Sequence, residues 1–519
     1  TVTVDAGSVA AAHLNTINAK TTGLVTATAA TTITGTAADA ATLFSNEGDS
    51  GDKVNLTASV LVTVSAGTAS AADLNTINDG TTGLVTATSV TTVSGTAATI
   101  GTLFGNEGSS GNKVDLASNV AVSITGTTAT ATDLNTINSI VSGVVNASSI
   151  TLITGTAADI NTVYSAAGDN EFSNLGDEAV TLSDTSLAAT VLTTLNSHTT
   201  GTINADSITT LTGTASEISS ILQVGTPHIS NLGDQNATVS DNNNLGASTL
   251  NTINSNTTGL VTATAATTIT GSASDIATLF GNEGSSGDKV DLAANVAVTV
   301  DAGSVAAAHL NTINSGTTGL VTATAATTIT GTAAAINTLI GNEGDSGDKV
   351  NLDADYDITV NSGTASVSLA NTFAAATGGT VTAEITETDA ATLATLNETT
   401  NAYTITVGDT SVTAARLIAI DGATTVNVTA TAVTTISGAA ADLNTVLTAG
   451  GITGLGAEAV TVTDSAVTAA VLNTLNGNTT GLVTATGVTA ITGTIAQINT
   501  LVGNEGDSGD KVNLDTDYT

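Results

Sequence analysis

The chain has 519 residues, of which 45 are acidic and only 7 are basic, so its formal net charge is −38. A chain of this charge cannot form the basic patch that binds nucleic acid or anionic lipid, and we expect cations as partners instead. The absence of cysteine excludes disulfides and thiolate-bound metals. No run approaches the roughly 18 apolar residues that a membrane span needs.

One long segment recurs along the sequence. It first reads LVTATAATTITGTAADAATLFSNEGDSGDKVNL from Leu24, and it returns from Leu84, Leu260, Leu320 and Leu482. Self-similarity at a fixed spacing is typical of repeat architectures, in which each unit packs against its neighbours only. The sequence therefore predicts a repeat solenoid.

Two related half-repeats alternate within this pattern. Each contains a run in which Val or Ile alternates with Thr, the period of a strand, and then an Ala-rich segment after Ser or Thr, typical of a helix start. The predicted helix starts are Ser8, Thr36, Thr68, Thr96, Thr128, Thr156, Ser186, Thr214, Gly246, Ser272, Ser304, Thr332, Thr364, Thr388, Ser411, Gly438, Ser465 and Thr494. These starts are mostly about 28 and 32 residues apart in alternation, so about 18 coils of about 30 residues form a 60-residue double repeat. We predict a parallel β-solenoid in which each coil is strand, strand and short helix.

Several helix starts carry a Ser or Thr with an acid three residues later. The pairs are Thr36 with Asp39, Ser70 with Asp73, Thr156 with Asp159 and Ser272 with Asp275. This spacing predicts a capping box, in which the two side chains satisfy each other's backbone N–H groups.

We predict one continuous solenoid over residues 1–519, with irregular coils at 164–245 and 373–433. The first irregular region contains the chain's only proline, Pro227, and the second its only arginine, Arg416. Parallel strands about 4.8 Å apart would make 18 coils a rod of roughly 85 Å. The last residues, NLDTDYT, run into the first, TVTV, as the internal segment NLDADYDITV does. We expect either a longer array or chains that stack head to tail.

The most specific local motif is an acidic loop around a single lysine, Asn-Glu-Gly-[Asp/Ser]-Ser-Gly-[Asp/Asn]-Lys-Val. Its copies start at Asn46, Asn106, Asn282, Asn342 and Asn504. Calcium takes six to eight hard oxygen ligands from flexible acidic loops. The acids predicted to bind it are Glu47, Asp49, Asp52, Glu107, Glu283, Asp288, Glu343, Asp345, Asp348, Glu505, Asp507 and Asp510. The alternative is a solvated turn in which the lysine pairs with an acid of the loop.

The repeated Leu-Asn-Thr-Ile-Asn supplies two asparagines per helix, as at Asn15 and Asn18. We expect a ladder of stacked amides that satisfies backbone groups at the helix C-terminus.

The segments ADLNTIN, TTG, VTAT and TTITGTAA resemble the repeat regions of very large secreted surface proteins of bacteria, notably cyanobacteria. The resemblance covers essentially the whole chain. It implies a place outside the cell and a structural or adhesive role. Such proteins often also carry RTX-type calcium repeats. The nonapeptide GGxGxDxUx of those repeats is not present here, so no calcium ligands are carried over.

These observations predict a structural protein and not an enzyme. We expect an extracellular, cell-surface solenoid whose copies assemble head to tail into a filament, sheath or surface layer. The alternative is the spacer or adhesive binding region of a giant bacterial adhesin. An enzyme acting on polysaccharides would need acids clustered at one non-repeating spot, whereas the acids here follow the repeat, and we predict no catalytic residues and no bound organic cofactor.

Overall fold

The computed structural model describes residues 1–223, 228–517 and 519. Pro227 lies outside the described residues. Eighteen helices occur in the described part of the chain: α1 (Ala11–Asn18), α2 (Ala37–Ser45), α3 (Ala71–Gly80), α4 (Ala97–Gly105), α5 (Ala131–Ile140), α6 (Ala157–Gly168), α7 (Ala189–His198), α8 (Ala215–Leu222), α9 (Ala247–Asn256), α10 (Ala273–Gly281), α11 (Ala307–Gly316), α12 (Ala333–Gly341), α13 (Val367–Ala376), α14 (Ala390–Leu393), α15 (Ala414–Gly422), α16 (Ala440–Leu447), α17 (Ala469–Asn478) and α18 (Ile495–Gly503). Their number agrees with the number of predicted coils.

The chain comprises two compact units. The first comprises Thr1–Asp241, Thr252–Ala263 and Gly284–Asp291, and the second comprises Asn242–Asn251, Thr264–Glu283 and Leu292–Thr519.

The strands of the first unit form five sheets. In the order of pairing these are β1 (Val2–Thr3), β3 (Val25–Thr26) and β5 (Val54–Asn55); then β2 (Gly7–Ala10), β4 (Ala30–Gly35), β6 (Leu61–Val64), β8 (Val85–Ala87) and β10 (Val114–Leu116); then β7 (Gly67–Ser70), β9 (Val90–Gly95), β11 (Ala121–Ile124), β13 (Val145–Asn146) and β15 (Phe172–Ser173); then β12 (Thr128–Thr130), β14 (Leu152–Gly155), β16 (Ala179–Leu182), β18 (Ile203–Asn204) and β20 (Ile229–Ser230); then β17 (Ser186–Ala188), β19 (Thr210–Gly213), β21 (Asn236–Val239), β23 (Val261–Thr262) and β25 (Val290–Asp291).

The strands of the second unit also form five sheets. These are β22 (Asn244–Gly246), β24 (Thr268–Gly271), β26 (Ala297–Val300), β28 (Val321–Ala323) and β30 (Val350–Leu352); then β27 (Gly303–Ala306), β29 (Ala326–Thr332), β31 (Asp357–Ser362), β32 (Val381–Glu384) and β33 (Ala402–Thr404); then β34 (Ser411–Thr413), β36 (Thr435–Gly438), β38 (Ala459–Val462), β40 (Val483–Ala485) and β42 (Val512–Leu514); then β35 (Val428–Thr429) with β37 (Ile452–Thr453), and β39 (Ala466–Thr468) with β41 (Ala490–Thr492).

Successive coils pair in parallel, as a solenoid requires. Strand β8, for example, lies between β6 and β10, with Val85 beside Val62 on one side and Val114 on the other. All three side chains are buried, and the second unit repeats the column with Val298, Val321 and Val350. The prediction of a repeat parallel β-solenoid with a short helix in each coil is confirmed.

The composition of a coil differs from the predicted strand, strand and helix. From α2 to α12, coils with two strands before the helix alternate with coils that have three, in which a further short strand such as β7 directly precedes the helix. The sheets shift accordingly. Strands β2 and β4 directly precede their helices, whereas β6 and β8 are second before theirs and β10 is third. Each sheet therefore contains at most five strands, and strands of the following coils belong to the next sheet.

Seven helices have their N-cap at the predicted residue, and Thr36 illustrates why. Its hydroxyl accepts the backbone N–H of Asp39 at 3.1 Å and also lies 2.8 Å from the Asp39 carboxylate, to which it donates. The predicted capping box is wrong here, because aspartate bonds the hydroxyl and leaves the N-cap N–H alone. The longer side chains of Glu217 and Gln497 do complete a capping box, with Thr214 and Thr494. The other six helices that start at the predicted residue have their N-caps at Thr96, Thr156, Thr214, Ser272, Thr332 and Thr494.

The predicted starts are too early in the longer coils. Ser8 and Thr68 lie within β2 and β7, and helices α1 and α3 begin after Ala10 and Ser70. The Ser or Thr at these positions belongs to an added strand, which pairs with the following coil before the chain turns into the helix. The same shift applies to the starts predicted at Thr128, Ser186, Ser304, Thr364, Ser411 and Ser465.

A Thr-Thr-Gly turn follows most helices of the longer coils and brings consecutive coils unusually close. The buried hydroxyl of Thr317 donates to the Val296 carbonyl at 2.6 Å and accepts the Gly319 N–H at 3.0 Å. A Cβ atom on Gly319 would lie 2.4 Å from the same carbonyl oxygen. Only glycine permits this approach, because the obstacle is the backbone of the neighbouring coil.

The irregular region at 373–433 is built from shorter coils with larger side chains. Helix α14 has only four residues, and the side chains of Phe373 and Tyr403 are fully buried. The Tyr403 hydroxyl donates to the Ala370 carbonyl at 3.3 Å. The core of this region therefore contains two fully buried aromatic rings.

Candidate functional site

Each lysine loop is a closed turn that follows a helix. In the first copy Gly48 N–H donates to the Val54 carbonyl at 3.1 Å, and Val54 N–H donates to the Asn46 carbonyl at 3.0 Å. Gly51 has a φ of +74°, which glycine adopts without strain. The loop is therefore held by its own backbone.

The lysine of the loop packs its aliphatic stem across the turn. A Cβ atom on Gly48 would lie 3.1 Å from Lys53 Cγ, and the corresponding glycine of the other loops meets its lysine at similar range. In the second copy Lys113 Nζ is 3.5 Å from the Gly105 carbonyl at the end of the preceding helix. The lysine thus contributes packing and, in this copy, a contact to a helix end.

The predicted calcium ligands are placed at the surface of these loops. Glu107 and Glu343 are half-buried. The others are exposed, namely Glu47, Asp49, Asp52, Glu283, Asp288, Asp345, Asp348, Glu505, Asp507 and Asp510. Within the described residues, no three His, Cys, Asp or Glu side chains are grouped so as to hold a metal ion. Calcium binding by these acids stays a prediction.

One glutamate of the set has a distinct environment. Tyr356 donates its hydroxyl to Glu343 Oε2 at 3.5 Å. Burial raises the pKa of Glu343, and the hydrogen bond from Tyr356 partly offsets this. Burial likewise raises the pKa of Tyr356.

In two of the loops, the residue before the lysine lies against the end of a helix from the preceding coil. In the second copy this residue is Asn112, whose amide nitrogen, in the orientation that satisfies its neighbours, donates to the carbonyls of Thr81 at 2.9 Å and Asn78 at 3.2 Å. In the fourth copy Asp348 lines a pocket of about 300 Å³ together with Asn314 and Thr317. A carboxylate at this position places its oxygens beside backbone carbonyl oxygens. Hard cations bind such groups of oxygen ligands.

The asparagine row connects helices in a way that differs from the prediction. Asn15 Nδ2 donates to the Asp39 carbonyl at 2.8 Å, in the first turn of the next helix. Asn75, Asn135, Asn251, Asn311, Asn371 and Asn473 repeat this bond to the residue 24 positions later. For the first asparagine of each pair the predicted stack at a helix C-terminus is wrong, because its amide reaches a backbone carbonyl of the next coil.

Three buried polar side chains were not predicted from the sequence. Glu178, Gln235 and Glu458 are only 2%, 2% and 3% exposed. Each follows an altered turn that replaces the lysine loop, and each accepts the N–H of the glycine two residues before it, at 2.8, 2.8 and 2.6 Å. The exchange of Glu for Gln between SNLGDE and SNLGDQ was the available sequence signal.

The environment of Glu178 includes a buried phenol. The Tyr164 hydroxyl is 3.4 Å from Glu178 Oε2, and burial raises the pKa of Tyr164. The second carboxylate oxygen of Glu178, Oε1, is buried and has no hydrogen-bond partner.

Comparisons with known proteins do not assign the chain to a family: no family model matches it, and no curated protein matches it. No helix of the described residues has the length and apolar character to cross a membrane, the longest being α6 with 12 residues.

Proposed function

We propose that this chain is a structural protein of the cell exterior whose copies assemble head to tail into a surface filament, sheath or surface layer. The observation that carries the proposal is the apolar face of helix α18. This helix buries Leu501 only, and it leaves Ile495 81% and Val502 45% exposed.

The position of Ile495 is occupied by a small buried residue in the equivalent helices. Ala97, Ala273 and Ala333 stand there and are at most 7% exposed, because the next coil covers them. A large aliphatic side chain at this place loses about 1.5–3 kcal/mol when it is left in water rather than buried. A further coil would bury this face, and in our proposal a second copy of the chain supplies that coil.

Backbone groups support the same contact. Strand β1 lies at one edge of its sheet and β42 at one edge of another, and an edge strand can pair with a strand of a second molecule. All the strand pairs among the described residues are parallel, so a second copy in the same orientation would extend them. Heterologous contacts of this kind propagate without closing.

Cations have a definite role in this proposal. The net charge of −38 makes contact between two copies repulsive unless it is screened or neutralised. We propose that the acid before each lysine, represented by Asp348, binds calcium together with carbonyl oxygens at the preceding helix end. The equivalent residues in three other loops are Asp52, Asp288 and Asp510. In the second loop the residue is Asn112, whose amide nitrogen donates to the carbonyls that the cation would contact in the other loops.

The test is sedimentation and electron microscopy of the full chain in calcium and in chelator, with two variants. Ile495→Asp places a charge on the α18 face while retaining a residue that suits the first turn of a helix. Val144→Asp makes the same change at a position that is 55% exposed in a turn. We expect assembly of the wild type and Val144→Asp in calcium, and loss of assembly by Ile495→Asp.

Two results would contradict the proposal. A wild-type chain that stays monomeric in calcium and in chelator would favour the adhesin spacer. Assembly that Ile495→Asp leaves unchanged would mean that another surface makes the contact. Loss of assembly in chelator would specifically support the cation part.

A further inference from the structure

Two altered turns of the first unit are matched in sequence and in backbone. Residues 173–178 read SNLGDE and residues 230–235 read SNLGDQ. Asn174 and Asn231 both adopt left-handed φ angles, +62° and +63°, and the glycines two residues later have φ angles of +133° and +125°. The side chains of Glu178 and Gln235 can therefore be compared atom by atom.

One oxygen plays the same role in both turns. Glu178 Oε2 accepts the Gly176 N–H at 2.8 Å, and Gln235 Oε1 accepts the Gly233 N–H at 2.8 Å. The remaining atoms, Glu178 Oε1 and Gln235 Nε2, therefore occupy equivalent places.

These two atoms differ in what they can bind. Gln235 Nε2 donates to the Asn231 carbonyl at 2.9 Å and to the Asp234 carboxylate at 2.7 Å. By the correspondence with the Gln235 turn, we infer that Glu178 Oε1 is directed at the Asn174 carbonyl and the Asp177 carboxylate, which are acceptors like itself. It has no partner, although Glu178 is 98% buried. A buried anion of this kind is unfavourable unless something positive accompanies it.

We propose that Glu178 Oε1, the Asn174 carbonyl and the Asp177 carboxylate bind a divalent cation, with calcium as the ion that the ligand chemistry favours. All three ligands are hard oxygens, and the two carboxylates balance a double positive charge. Asn174 and Asp177 are exposed, so water completes the coordination from the solvent side. The site has two acidic side chains and does not depend on the filament proposal.

The third altered turn provides an internal comparison. Glu458 keeps the hydrogen bond from its glycine, Gly456 N–H to Oε2 at 2.6 Å. Ala457 stands where Asp177 stands in the first turn. With one carboxylate fewer, this turn is expected to bind the cation more weakly.

Tyr164 makes the site accessible to a spectroscopic test. Its hydroxyl lies 3.4 Å from Glu178 Oε2, and the chain contains no tryptophan. Terbium, which replaces calcium at oxygen sites, will emit when Tyr164 is excited. We expect wild-type emission that added calcium displaces, and weaker emission from Tyr164→Phe.

The decisive variant is Glu178→Gln in the full chain. It converts the turn to the chemistry of the Gln235 turn, so it should fold, which circular dichroism checks. We expect it to lose the Tyr164-sensitised emission and to bind one calcium equivalent fewer by calorimetry, with affinity at this site reduced more than about tenfold. Asp169→Asn, at an exposed position after α6, removes the same charge and should retain both signals.

Either of two results would overturn the proposal. One is a calcium stoichiometry and terbium emission that Glu178→Gln leaves unchanged. The other is a wild type whose thermal stability and terbium emission do not respond to calcium.

Discussion

The turn glycine at position 319 offers a sharp test of how closely the coils pack. In Gly319→Ala the new Cβ would lie 2.4 Å from the Val296 carbonyl oxygen and 2.6 Å from that of Asn295. Both obstacles are backbone atoms, so no side-chain rotation relieves the contact. The two coils would have to separate by about 1 Å to reach an ordinary van der Waals distance.

The cost follows from what that separation disrupts. Forcing an extra methyl into a packed site costs about 1–3 kcal/mol and occasionally more. The movement also weakens the bond from Thr317 to the Val296 carbonyl, now 2.6 Å, and such a bond is worth about 1 kcal/mol. We expect Gly319→Ala to destabilise its coil by about 3 kcal/mol.

Gly143→Ala is the matched control, because no atom lies within 4 Å of a Cβ added there. Its effect should be within about 0.5 kcal/mol. Hydrogen exchange followed by mass spectrometry is the suitable assay, since long repeat arrays need not unfold as one unit. Gly319→Ala should increase exchange in peptides that cover residues 290–330.

Equal protection of these peptides in both variants would refute the reasoning. It would mean that the coils accommodate a methyl group at 319 without moving apart.

Thr317→Val should destabilise the same coil by about 2 kcal/mol, because the valine leaves the Gly319 N–H and the buried Val296 carbonyl without this partner. Hydrogen exchange of the surrounding peptides measures the effect. Unchanged exchange would contradict the prediction. Burial raises the pKa of Tyr403 to about 12 in the folded chain, above the ordinary value of 10.0. The neutral phenol is therefore favoured by folding, and its contribution is complete below about pH 10 and lost as the pH rises through about 12. Thermal unfolding across this range should show a steeper decline for the wild type than for Tyr403→Phe, and parallel declines would be evidence against a buried, titrating phenol.

The local residue patterns of the sequence predict much of the fold. Alternation of Val or Ile with Thr identifies strands such as β4, and Thr36 followed by an Ala-rich segment identifies helix α2 at its actual N-cap. Equal spacing of the copies predicts that the strands pair in parallel with their equivalents. These features depend on short-range conformational preferences and on the repeat, and both can be identified from a single sequence.

Other features depend on contacts between coils, which the sequence does not display. Ser8 has the composition of a helix start, but pairing with the next coil draws it into β2. The shift of each sheet by one strand results from the same added pairing. Asn15 gives no indication of which carbonyl it will reach until the helices are placed side by side.

The residues of the candidate sites could be predicted only in part, for a related reason. Acids such as Asp49 are conspicuous in sequence but lie exposed in the loop. Glu178 is one acid among 45, and what distinguishes it is burial and an unpartnered oxygen. Burial is a property of the assembled coils, so only the exchange with Gln235 at the matching position could have drawn attention to it.

The bonds from each asparagine to the residue 24 positions later have a consequence for how the chain folds. Tertiary contacts that span 24 to 30 residues in a chain of this length correspond to a relative contact order of about 0.05, below that of ordinary helical bundles. Little loop-closure entropy opposes each step, so a nucleus can form at many places and grow coil by coil. A chain of this design can acquire native structure progressively, as soon as two consecutive coils have emerged from the ribosome.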